Sequence, residues 1–115
     1  MTVTNGLYSI HIEMKEGGRD HAPGVIVLLD GKIMGGDSHF YYTGSYTSDG
    51  SKWRGELTSH QHARTPGQLP LFGDREVSCG FSGSYSAAAA QCDGIALVGK
   101  TSVMWHADMV LRSAL

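Results

Sequence analysis

The ten residues Val25-Ile26-Val27-Leu28-Leu29-Asp30-Gly31-Lys32-Ile33-Met34 spell two strands and the turn between them. An Asp-Gly pair suits the two central positions of a tight hairpin, where both residues need positive φ. The β-branched run before it and the Lys-Ile-Met after it are the strands. On the N-terminal side, Tyr8, Ile10, Ile12 and Met14 fall on one face and Ser9, His11 and Glu13 on the other, as in a half-buried strand. A polar, glycine-rich connection from Lys15 to Pro23 separates the two. On the C-terminal side, Gly35-Gly36-Asp37 reads as a bulge or turn, and a strand resumes from Ser38 through Tyr46.

The punctuation repeats further along. Asp49-Gly50 precedes a strand from Lys52 to His62, in which Trp53, Gly55 and Leu57 oppose Arg54, Glu56 and Thr58. Two of the three prolines fall in Ala63–Asp74, an irregular connection. Glu76–Tyr85 is a further strand, with glycines at 80 and 83 that permit bending. Asp93-Gly94 is a third Asp-Gly turn, leading into Ile95–Val98. In the last segment Val103, Trp105, Ala107, Met109 and Leu111 share a face at period two. Helical spacing through Val103, Ala107, Val110, Leu111 and Ala114 keeps a C-terminal helix open, and Ser86–Gln91 suits a turn or two of helix. Seven or eight short strands joined by hairpins make an all-β antiparallel meander, possible short helix aside. Closing that meander into a small barrel removes its edges.

The chain has 115 residues, the length of one domain spanning 1–115. Hydrophobic residues are 41% and charged residues 17%, which excludes a disordered or supercharged chain. Nine basic against eleven acidic side chains leave no excess to neutralise a phosphate backbone, so direct nucleic-acid binding is not expected. Nor is a membrane span. Sixteen glycines are the abnormal count. Cys79 and Cys92 are too few for a disulfide framework. The opening residues show no basic cluster followed by an apolar core, so a cytoplasmic protein with reduced thiols is expected, although a Cys79–Cys92 bridge stays open.

Gly94-Ile95-Ala96-Leu97-Val98-Gly99-Lys100-Thr101 matches the Walker A pattern, and Val25–Leu29 with Asp30 imitates a Walker B strand. The chemistry argues otherwise. A phosphate cradle needs a bare loop of converging N–H groups, whereas Ile, Ala, Leu and Val belong in a sheet. Fourteen residues after Thr101 also leave no room for parallel crossover units. His60 and His62 share a strand face, and His11, His39 or His106 could supply a third ligand by type, but no carboxylate or cysteine spacing supports a metal set. Gly80-Phe81-Ser82-Gly83-Ser84 lacks the closing glycine and following helix of a nucleophile elbow. Neither an enzyme nor a cofactor is expected. Consecutive aromatics in Phe40, Tyr41, Tyr42 and Tyr46, with Trp53 across the turn and Trp105 in the last strand, put rings on both faces. Those rings fill the interior or form a subunit interface. Strict alternation cannot send Tyr41, Tyr42, Tyr46, Trp53 and Trp105 all inward, so a two-fold homodimer through the 38–57 region or the final strand is expected.

Asn5-Gly6-Leu7-Tyr8-Ser9-Ile10, Leu29-Asp30-Gly31-Lys32-Ile33, Gly35-Gly36-Asp37 and Tyr42-Thr43-Gly44 together resemble the GrlR family, small negative regulators of type III secretion gene expression. The resemblance is clearest over residues 5–60. It implies a lipocalin-like β-barrel that forms a homodimer and sequesters a transcriptional activator without touching DNA. It also implies a partner-binding loop at Ser48, Asp49, Gly50 and Ser51. There the family's acidic Glu-Asp-Glu-Asp loop is reduced to one carboxylate. The expected function is therefore non-enzymatic regulation by protein–protein contact. The alternative is a small-molecule binder using the barrel interior, which a core filled with large residues would close.

Overall fold

The computed structural model describes residues 3–14, 24–38, 40–63, 77–98 and 101–115. Among the described residues eight strands run in chain order: β1 (Gly6–Met14), β2 (Gly24–Leu29), β3 (Lys32–Gly36), β4 (Phe40–Asp49), β5 (Lys52–Gln61), β6 (Val77–Tyr85), β7 (Ala89–Val98) and β8 (Thr101–Ala114). Each pairs antiparallel with the next, and β8 returns to β1, so the meander closes into an up-and-down barrel. Closure joins Gly6–Met14 to Trp105–Ala114, with one register shift between Leu7 and Tyr8. The closed antiparallel barrel expected from the sequence is present, with eight strands among the described residues.

The turn that organises the first half is the expected one. Asp30 and Gly31 take φ of 48° and 86°, the left-handed conformation of a two-residue hairpin. Asn5 fastens it from outside: its Oδ1 accepts from the Asp30 backbone N–H at 3.0 Å, and its Nδ2 donates to Asp30 Oδ1 at 2.9 Å. Gly50, at φ 65°, turns the β4–β5 hairpin. Asp37 closes the β3–β4 connection, its Oδ1 accepting from the Phe40 N–H and its Oδ2 from the Tyr42 hydroxyl.

One expectation is corrected, and two open alternatives are decided. Asp93-Gly94 is no turn; both residues lie inside β7, paired with His106 and Trp105. The reversal falls instead near residues 86–88, where the Ser86 N–H donates to the Ala89 carbonyl. Ser86–Gln91 therefore forms no helix, because cross-strand pairing outweighs the modest helix preference of alanine. The C-terminal segment is likewise strand, with Trp105, Ala107 and Met109 buried and Val103 and Leu111 packed partly against them. Among the described residues there is no helix.

The core accounts for four of the sixteen glycines. Inward-facing glycines sit directly across from the largest rings: Gly35 opposite Tyr42, Gly55 opposite both Tyr46 and Phe81, Gly83 opposite Trp53, and Gly94 opposite both Phe81 and Trp105. Each of these rings thus lies over a position without a side chain, which makes room for it in a small barrel. Tyr46 meets Trp53 edge-on at 5.6 Å, and Trp53 meets Phe81 at 4.8 Å. Such contacts add to what burial itself contributes.

Candidate functional site

Four of the five singled-out rings, Tyr42, Tyr46, Trp53 and Trp105, point into the barrel; Tyr41 alone stays on the outer face. The expectation of an interface built from several exposed rings is thus corrected. The cross-strand glycines let the rings stack inward, while the small residues between them take the other parity. Among the described residues the interior holds a cavity of about 10 Å³, bordered by Ile26, Tyr42, Leu57, Cys92 and Trp105. That is about one water's probe volume, far below the roughly 300 Å³ of the smallest ligand pockets.

Cys79 and Cys92 are free and buried in the same core. Burial pushes the Cys79 thiol up to about 11. Burial raises Cys92 as well, helped by the nearby charge of Asp93. Both shifts favour the protonated thiol over the thiolate. The Walker-like stretch is likewise structural: Gly94 and Ala96 face the core while Ile95 and Leu97 face out, and Gly99 and Lys100 lie outside the described residues.

Ser48, Asp49, Gly50 and Ser51 cap one end of the barrel at the β4–β5 hairpin. The Tyr85 hydroxyl donates to the Gly50 carbonyl and the Tyr85 N–H to the Ser51 carbonyl. These bonds hold the turn against β6. Ser48 and Asp49 border a polar groove of about 570 Å³ on the outer face of β4, β5 and β6, whose other walls include Thr47, Lys52, Arg54 and Ser82. A second depression of about 430 Å³ continues it past Arg54 to Glu56 and Gly80.

A different outer face is apolar. Leu7, Val25, Leu29, Met34 and Tyr41 are all exposed, on β1 to β4. Register connects them: Leu7 is opposite Val27, Val27 opposite Met34, and Gly36 lies between Val25 and Tyr41. The continuous apolar run Val25–Leu29 carried this signal, since a strand apolar on both parities has an outer face to cover.

The histidines do not converge. His60 stacks on Tyr41 at 4.6 Å, and its Nε2 contacts Thr43 Oγ1. His62 Nε2 contacts the Asp37 carbonyl. His39 lies outside the described residues. Among the described residues no three side chains are grouped to hold a metal ion. His106 is instead clamped between carboxylates, Nδ1 to Asp93 at 3.0 Å and Nε2 to Asp108 at 3.1 Å. Partial desolvation lowers its pKa, but the hydrogen bonds to Asp93 and Asp108 outweigh this and raise it above 6.5. A raised folded-state value gives stability that is fully present below pH 6.5 and is lost as pH rises through that value. Urea midpoints should therefore fall between pH 6 and pH 8 in the native chain. In His106→Gln that fall should shrink; an undiminished fall would assign it to other groups.

The fold defines a class: an all-β, eight-stranded antiparallel barrel, with large side chains of the described residues packed inside it. No family model matches the chain, and no curated protein matches it.

Proposed function

We propose that this chain is a non-enzymatic regulatory protein of the GrlR type, acting by protein–protein contact as a homodimer in the cytoplasm. In this reading it holds a transcriptional activator away from its target and does not itself bind nucleic acid. The observation that carries the proposal is the contrast between the two sides of the sheet. Among the described residues the interior cavity is about 10 Å³, while Leu7, Val25, Leu29, Met34 and Tyr41 leave an apolar face outside. Contiguous apolar surface of that kind marks protein contact. Free, buried Cys79 and Cys92 fit a reducing compartment. The stretches that resemble the family lie at the Asp30-Gly31 hairpin and along β4, where they form turn and core.

In this reading dimerisation uses the apolar face of β1 to β4; the exposed aliphatics Met104 and Val110 of the final strand, beside Ile95 and Leu97, are the other candidate face. Sedimentation at micromolar concentration should show a species of twice 12.3 kDa that Val25→Glu with Met34→Glu converts to monomer. Affinity capture from the producing cells should recover one transcriptional activator in stoichiometric amount. A native chain that stays monomeric would end the dimer, and capture of no activator would end the regulatory reading.

A further inference from the structure

We propose that the outer groove of β4, β5 and β6 seats a single acidic side chain of an extended segment of the protein partner, with its carboxylate on Arg54. The proposal rests on the reading that the chain works by protein contact, and adds where and with what chemistry. Closure of the barrel is the first constraint. All eight strands are paired on both sides, so a partner segment has no sheet edge to extend. It has to be recognised by side chains on an outer face.

The groove is built for one anion. Cross-strand register places Thr47 and Ser82 on either side of Arg54 in one outward row. Lys52 lies one outward position along the strand, roughly 7 Å away at strand rise. Neither Lys52 nor Arg54 has an ion pair or hydrogen bond among the described residues, nor do the hydroxyls of Thr47 and Ser82. Elsewhere on the outer face Arg112 donates to Ser9, and Thr58 bonds Ser78. A carboxylate on the Arg54 fork would take charge-assisted bonds from the guanidinium and further donors from the two hydroxyls.

Charge along the groove sets what kind of segment fits. Asp49 borders the Lys52 end and Glu56 the far end. The cations are therefore bracketed by carboxylates, and a polyacidic run would meet repulsion at both ends. One acidic residue flanked by basic or uncharged ones matches the pattern. The depression that continues the groove past Arg54 toward Glu56 is open at Gly80, which has no side chain. A Cβ there would find only the Gly55 carbonyl, at 3.9 Å. Gly80 thus offers a substitution that fills the groove without disturbing the barrel.

The test uses fluorescence anisotropy of the full chain with a labelled peptide, Gly-Ser-Lys-Ser-Glu-Ser-Lys-Ser-Gly, and its counterpart with Gln for Glu. The Glu peptide should bind about tenfold tighter, a difference of about 1.4 kcal/mol, and Arg54→Gln should erase the difference. Gly80→Val should abolish binding of the Glu peptide while leaving the melting temperature within a few degrees of native. Equal binding of the two peptides, or a difference that survives Arg54→Gln, overturns the proposal. So does inorganic phosphate displacing the Glu peptide at equal concentration, since the seat would then recognise a free anion. An activator captured equally well by Arg54→Gln would remove the groove and leave the regulatory reading standing. Peptide discrimination with no captured activator would do the reverse.

Discussion

Trp53→Ala should lower the free energy of unfolding by about 3–5 kcal/mol, a third or more of the total for many domains of this size. Trp53 is 2% exposed and holds the aromatic cluster together, with Tyr46 on one side and Phe81 on the other. Its Nε1–H also donates to the Gln91 carbonyl at 2.9 Å, tying β5 to β7 across the intervening strand. Truncation would leave that carbonyl without its donor and open a cavity. Gly83 lies directly opposite and has no side chain with which to close it. Chemical denaturation of native, Trp53→Phe and Trp53→Ala chains would separate the contributions. The Phe variant should lose mainly the hydrogen bond, about 1 kcal/mol, together with part of the ring burial. A loss below about 1 kcal/mol for Trp53→Ala would mean that the cluster is not the barrel's central contact.

Gly94→Val should cost the upper end of the roughly 1–3 kcal/mol typical of over-packing. A Cβ at Gly94 would lie 2.4 Å from Cε2 and Cζ2 of Trp105 and 2.8 Å from the Gly80 carbonyl oxygen. The indole is 2% exposed and cannot move aside without displacing its neighbours. Relief should come from the ring itself. In a double-mutant cycle Gly94→Val with Trp105→Leu should be less destabilised than the sum of the single changes, since the clash then disappears. Exact additivity would show that Gly94 serves another purpose. The same residue opens the Walker-like pattern, and the phosphate reading predicts a different result: magnesium-ATP would raise the melting temperature of the native chain. No such rise is expected, because Gly94 faces the core and Ile95 and Leu97 are strand residues.

Local preference alone determined much of this protein. The Asp30-Gly31 hairpin, the period-two faces of Tyr8, Ile10 and Ile12, and the closing face through Trp105, Ala107 and Met109 depend on residues a few positions apart, and all are present. The all-β class follows from them. Tertiary structure decided which turn signals act. Asp30-Gly31 turns, yet the same dipeptide at Asp93-Gly94 lies mid-strand, because there the glycine leaves room for a tryptophan 11 residues later in the chain. The direction of the rings was equally hidden. Tyr42, Tyr46, Trp53 and Trp105 go inward because the register brings a glycine opposite each, and register is fixed between strands that no short window contains. The groove around Arg54 has the same origin: Thr47, Arg54 and Ser82 become neighbours only when three strands align. Sequence determines what a residue prefers, and closure of the sheet determines what it faces.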